Sequence, residues 1–350
     1  MIWFSLRQQR FEVLALWLTL AGIAAFLVHS GLAAYTAYYY QVVPGTSMAT
    51  CLAQHSQNAL CQALNTNFFM NFSARNFSQN VNSATPLLPA LLLQALVGMF
   101  VGVPLVAREM EQGTHSLIWT QSVTRVRWLA IKAATYMSIT LLAFALFSIL
   151  VMWWNGPFDR FGGGVAPVSF DFEGIVPVAY AAYALALGIA TGALLRKTVP
   201  AMFVTLLGYS AARIPADAWA RLRYLPPVTF VWDPYTSNSP RPPLSAAAIP
   251  APYQNNDWVL YSNWVDHAHR PVYVGIIYQA CSSPPNWDDG GALPHTPFTA
   301  CTHAHGWLYM LTVQPPDRFW LFQSMESAIF FGLAALLLAF SFWWVRTRIR

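Results

Sequence analysis

Four cysteines, a set of closely spaced histidines and one acidic residue inside an apolar stretch are the residues of this chain with the most chemistry to offer. Four cysteines allow three connectivities, of which local pairing, Cys51 with Cys61 and Cys281 with Cys301, is the simplest, and thiols held outside the cytosol would oxidise. Asp266-His267-Ala268-His269, His295 and His303-Ala304-His305 carry the His-x-His spacing that sets two imidazoles on one face of a strand, a geometry zinc or copper uses. His267, His269, His303 and His305 are therefore the metal candidates. Nothing completes a four-ligand set around them, so the bland reading, polar loop residues near a disulfide, carries more weight and no resident metal is expected. Glu326 lies in an apolar run beside Gln323, Ser324 and Ser327. Such a group lines a translocation pathway, pairs with Arg318, or bonds neighbouring helices to each other, and the last role is the common one. The chain has no Gly-x-x-x-x-Gly-Lys-Ser/Thr loop, no His-Glu-x-x-His and no Gly-x-Ser-x-Gly, so neither ATP hydrolysis nor these hydrolytic chemistries are expected of it. Asp288-Asp289 and Gly162-Gly163-Gly164 read as turns.

The elements that must position these residues follow from composition. Of 350 residues 56% are hydrophobic and 9% charged, against about a quarter charged in a soluble domain, which excludes an ordinary cytosolic enzyme and disorder. The 19 basic residues form no dense run, so no nucleic-acid partner is expected despite the net charge of +5. Six stretches compare with the ~20 residues that cross a bilayer: 11–34, 86–107, 128–153, 174–195, 198–213 and 319–345. The fifth is short and is closely followed by Arg213, Asp217, Arg221 and Arg223. Charge placement argues that it crosses. Arg7, Arg10, Arg108, Arg125, Arg127, Lys132, Arg196, Lys197, Arg346, Arg348 and Arg350 share one side only if all six stretches cross, while the opposite short loops hold Arg75 and Arg160. Both termini are then cytoplasmic. The first stretch, after Arg7 and Arg10, resembles a signal peptide in its flank but exceeds the usual apolar length.

External segments would be 35–85, 154–173 and 214–318, the first and last holding all four cysteines. Residues 214–318 are rich in Pro, Trp, Tyr, Asn and Ser, enough aromatic material for a small folded domain with a few strands. Asn71-Phe72-Ser73 and Asn76-Phe77-Ser78 match the glycosylation acceptor pattern. On the cytoplasmic side, 108–127 begins with Arg108-Glu109-Met110-Glu111-Gln112-Gly113-Thr114. Gly113 can end the second helix in a left-handed turn and Thr114 can cap a short new helix presenting His115, Leu117, Ile118 and Trp119. An apolar face at that position rests on headgroups or on a partner protein.

The Arg-Glu-Met-Glu-Gln-Gly-Thr segment, followed by Ser122-Val123-Thr124-Arg125 and by Lys132, resembles the membrane (permease) subunit of type-2 ABC transporters. More narrowly, Trp119 to Arg125 is similar to an actinobacterial-type branch. Trp3 to Arg10, Gly174 to Tyr180, Arg196 to Ala201 and Asp317 to Gln323 extend the resemblance over the six-helix frame, but residues 214–318 carry little of it. The resemblance implies that 108–122 inserts into a separate nucleotide-binding subunit, with Glu109, Glu111, Gly113, Thr114 and His115 as coupling residues, and that residues 1–10 form an interfacial helix. Taken with the apolar stretches and the cysteine positions, it gives the expected fold: an all-α polytopic membrane protein of six transmembrane helices with a large disulfide-bonded external domain between helices 5 and 6. It also implies two copies of an ABC ATP-binding subunit that bind ATP and magnesium, a second permease half, identical or related, and a bacterial plasma membrane. The expected function is export of an amphipathic or lipid-like small molecule by alternating access, with no cofactor in this chain. The other readings are a membrane-embedded enzyme acting on a lipid-linked substrate and a ligand sensor using the external domain.

Overall fold

The computed structural model describes residues 10–43, 46–53, 60, 61, 64, 87–113, 124–162, 167–233, 235, 236, 258–281 and 297–348. The expectations for residues 1–9, Thr114, His115, the two Asn-x-Ser triplets, Asp288, Asp289 and His295 lie outside the described residues. Two compact units divide the chain. The first comprises Met1–Arg160, Ala166–Tyr224 and Phe319–Arg350, and the second Phe161–Val165 and Leu225–Arg318.

The described helices of the first unit are α1 (Arg10–Tyr39), α2 (Met48–Ala53), α3 (Leu87–Val97), α4 (Pro104–Glu111), α5 (Arg125–Gly162), α6 (Pro167–Phe172), α7 (Val176–Leu195) and α8 (Thr198–Pro215), and the unit closes with α11 (Phe319–Thr347). A two-stranded antiparallel ribbon, β1 (Gln41–Val43) with β2 (Thr46–Ser47), follows α1. Among the described residues five segments are helical, long and apolar enough to cross a bilayer: Trp17–Tyr39, Leu92–Glu111, Arg125–Pro157, Val176–Leu195 and Phe319–Thr347. The sixth stretch forms α8, whose 18 residues include Arg213. At ~1.5 Å rise per residue α8 nearly matches the ~30 Å of a hydrocarbon core.

α7 is the centre of this unit because its sequence lets other backbones come close. It reads Val-Pro-Val-Ala-Tyr-Ala-Ala-Tyr-Ala-Leu-Ala-Leu-Gly-Ile-Ala-Thr-Gly-Ala-Leu-Leu, and nearly every residue is buried. Small side chains at helical spacing allow close packing where lipid offers no hydrophobic drive between helices. The neighbour that exploits this is the turn between α3 and α4. A β-carbon on Gly98 would stand 2.5 Å from the Ala184 carbonyl oxygen and one on Gly102 2.7 Å from that of Leu185, while one on Gly188 would strike the Gly98 carbonyl. Residues Gly98–Gly102 form a π-helical turn in which Val103 N–H donates to Gly98 O at 2.9 Å. Pro104 explains it. A proline lacks the N–H of a regular helix and crowds the carbonyl four residues back, and the wider turn relieves both. Thr191 and Thr205 then join α7 to α8 through their hydroxyls, 2.7 Å apart.

In the second unit a three-stranded antiparallel sheet runs β3 (Val228–Trp232), β5 (Leu308–Gln314), β4 (Trp258–Val265), with β5 in the middle. α9 (Val274–Ala280) and α10 (Pro297–Ala304) accompany it. The aromatic density foreseen for this region is spent on its core. Tyr309 of β5 meets Trp232 at 5.0 Å and Trp264 at 5.2 Å, both edge-on, and Trp264 continues to Phe298 and Ile277. Both expected disulfides are present, Cys51 with Cys61 and Cys281 with Cys301. The second fastens the end of α9 to α10 against this core.

Candidate functional site

The acidic turn that ends α4 is built from two glutamates with opposite fates. Glu109 is 1% exposed and its carboxylate pairs with Lys132 of α5, which also donates to the Leu105 carbonyl at 3.3 Å and stands 4.9 Å from the Trp128 ring. Lys132 therefore does not reach for the bilayer surface as its place at the start of a span suggests; a buried acid two residues before the helix end holds it inside. Glu111 is exposed and points elsewhere. Its Oε2 accepts from the Thr198 backbone N–H at 3.1 Å and from the Thr198 hydroxyl at 2.7 Å. Lys197, at the N-cap of α8, makes no side-chain cap bond, so the cap comes from Glu111 of another helix. A carboxylate at a helix N-terminus also meets the positive end of its dipole. Gly113 follows with φ +72°, the left-handed turn its type foretold, and a β-carbon there would meet none of the described residues within 4 Å. Beside this end Arg196 Nη2 donates to the Arg348 carbonyl at 3.2 Å, tying the α7–α8 turn to the end of α11. Of the residues expected to couple, Glu109, Glu111 and Gly113 fall among those the structure describes.

At the opposite ends of α7 and α8, Glu326 and Gln323 of α11 are each fully buried. Gln323 Oε1 accepts from the N–H groups of Ile175 and Val176 at 3.0 and 2.9 Å, and its Nε2 donates to the Phe170 carbonyl at 2.9 Å. It is the cap of α7. Glu326 does not pair with Arg318, which donates to the Pro226 carbonyl and to Gln314. Its partners are Arg221, whose Nε and Nη2 reach Oε2 and Oε1 at 2.9 and 3.0 Å, and the Tyr180 hydroxyl, which donates to Oε1. Arg221 Nη2 also donates to Asp171 Oδ1 at 2.7 Å, and Asp171 Oδ2 pairs with Arg213. Asp217 completes the set, 2.5 Å from Arg221 Nη1 and 3.8 Å from Arg213 Nη1. The guanidiniums lie over rings, Arg213 4.2 Å from Tyr180 and Arg221 4.3 Å from Phe170.

The sequence reading treated Arg213, Asp217 and Arg221 as charges trailing a span and did not single out Asp171. A signal was there. Arg213, Asp217 and Arg221 stand at i, i+4 and i+8, one helical face with alternating sign.

The histidines do not share a strand. β4 stops at Val265, and His267 and His269 fall in a turn that Asp266 closes, with His269 at φ 58°. The Asp266 carboxyl is held below the usual carboxylate range by the Arg270 N–H, then by the Arg270 side chain, against a small opposing effect of burial and with further help from the Ala268 N–H. His303 ends α10 and pairs with Asp233 while stacking on Tyr235; His305 stacks on Trp307 at 4.6 Å. Among the described residues the one grouping with metal-like proximity is Cys281, Cys301 and His305. Its two sulfurs are joined to each other, which leaves a single ligand.

Long apolar helices with buried ion pairs at both ends of the bundle fit a chain that spans a membrane. The family model described as ABC-2 membrane transporter related matches residues 17–221, more than half of the chain. The chain belongs to this family. It is a multi-pass membrane protein and a permease subunit of the ABC-2 type, a transport component. No match is found among curated proteins or among solved structures.

Proposed function

We propose that the chain is one half of the membrane part of an ATP-driven exporter in a bacterial plasma membrane. It pairs with a second half, identical or related, and with two ATP-binding subunits that hold ATP and magnesium, and it moves an amphipathic or lipid-like small molecule by alternating access. All six apolar stretches cross, and both termini are cytoplasmic. The segment 108–122 is the lever. The observation that carries this reading is the bond from Glu111 to Thr198: the residue at the root of the lever is the N-terminal cap of α8, so displacement of the lever pulls on a second helix directly. Shortage of charge on the lipid-facing helices supports the substrate class.

Gly113→Val tests the lever. Among the described residues nothing stands within 4 Å of a β-carbon at this site, so the substitution acts on them through the left-handed backbone, at about 1–3 kcal/mol. The variant inserts and expresses like the wild type and retains both disulfides. Its substrate-stimulated ATP hydrolysis, measured with the ATPase encoded beside it, falls about tenfold or more. Wild-type coupling in this variant and in Glu111→Lys together would remove the segment from the lever role.

A further inference from the structure

The ion cluster around Glu326 does not balance. Asp171, Asp217 and Glu326 bring three carboxyls and Arg213 and Arg221 two guanidiniums, all within direct ion-pair contact. Both arginines, Asp171 and Glu326 are at most 2% exposed at the side chain, and Asp217 is 10% exposed. An uncompensated buried charge is so costly that a titratable group neutralises instead. We propose that the cluster is a proton-binding site, which at neutral pH holds one proton on its three carboxyls and exchanges it with solvent through Asp217.

The geometry says where that proton has least competition. Glu326 is gripped by two donors of Arg221 and by the Tyr180 hydroxyl, and Asp171 bridges both arginines. Asp217 lies 2.5 Å from Arg221 Nη1 and 3.8 Å from Arg213 Nη1, but its Oδ1 makes no hydrogen bond among the described residues, and it is the member that touches solvent. Its carboxyl, beyond the end of α8, is raised above the ordinary value by burial, against the lowering effect of Arg221. Among the described residues the other titratable groups facing the cluster, Tyr180, Tyr209 and Tyr224, are phenols, which carry no charge at neutral pH and compensate nothing. Tyr209 is fully buried, and its hydroxyl has no hydrogen-bond partner among the described residues, so it too is available to a protonated acid or a water beside it. Because the three carboxyls interact, the proton belongs to the set and its titration is that of the cluster.

The test uses the purified full-length chain in detergent and the infrared carbonyl band of a protonated carboxylic acid. The wild type shows this band at pH 7, and Asp217→Asn, which leaves two carboxylates facing two guanidiniums, abolishes it. Stability gives an independent readout. A carboxyl that stays protonated in the folded state but ionises on unfolding contributes stability that is complete below about pH 4 and declines as pH rises through the cluster's own pKa. The unfolding equilibrium of the wild type therefore shifts about tenfold per pH unit across this window relative to Asp217→Asn. Absence of the band from the wild type overturns the proposal, as does a band that persists in Asp171→Asn, Asp217→Asn and Glu326→Gln alike. Stabilisation by sodium ions in place of a bound proton, read as a sodium-dependent unfolding temperature with no acid band, also overturns it.

Discussion

Lys132 and Glu109 illustrate what a charge does when it is taken out of water. Both are nearly shut off from solvent, and the ion pair between them offsets the cost of burying each charge. Removing one partner strands the other, at about 3–5 kcal/mol, whereas replacing both by apolar or neutral groups of similar size costs little. Lys132→Met therefore lowers the thermal stability of the purified protein strongly, and Lys132→Met combined with Glu109→Leu recovers most of the loss. A denaturation series on the two single variants and the double variant reads the coupling; additive losses would show that the pair is not energetically linked. Glu111, two residues on, was legible as exposed and acidic, but its bond to Thr198 was not, because nothing in a linear sequence aligns residue 111 with residue 198. The same limit hid Asp171, which is ordinary in its own segment and becomes singular only when Arg213 and Arg221 arrive from α8 and the turns beyond it.

At the scale of elements, the long apolar helices were visible from length and composition alone, since a bilayer imposes a minimum apolar run. Their interruptions were less so. The π turn before Pro104 is a local consequence of that proline, but its role depends on α7 presenting Gly188 and Gly192 at the matching depth, where a β-carbon on Gly192 would stand 2.9 Å from the Val103 carbonyl. The His-x-His pairs misled in the other direction: the spacing suits a strand, yet Asp266 caps its own turn and His303 ends a helix, so backbone context removed the shared face. Gly188→Val tests the close approach of α7 to Gly98–Gly102. The added carbons must displace a backbone carbonyl, so about 1–3 kcal/mol of overpacking is expected. The variant is expected to unfold at lower temperature, whereas Gly22→Val, at a position with nothing within 4 Å, leaves the unfolding temperature unchanged. Equal effects of the two substitutions would mean that the loss reflects helix propensity and not the packing of α7.

At the scale of the whole molecule, the fate of α8 decides on which side the C-terminus lies. Hydropathy alone passes it over because Arg213 lies inside it, but that arginine is not presented to lipid: it rests on Tyr180 and pairs with Asp171. Three contacts fix the depth of α8 against its neighbours. Thr198 meets Glu111 at one end, Thr205 meets Thr191 in the middle, and Arg213 reaches the first turns of α7 at the other. α8 thus runs back along the full length of α7, the arrangement that the proposed sixth crossing requires. All four cysteines are in disulfides, so a cysteine introduced anywhere is the sole free thiol of the chain. A membrane-impermeant maleimide applied to intact cells should modify Ser237→Cys and leave Gln9→Cys and Thr347→Cys untouched until the cells are permeabilised. Modification of Thr347→Cys in intact cells, with Gln9→Cys still protected, would mean an odd number of crossings and would place α8 on one side of the bilayer. The positive-inside assignment of Arg346 and Arg348 would fall with it, since lysines and arginines next to a span are held on the cytoplasmic side.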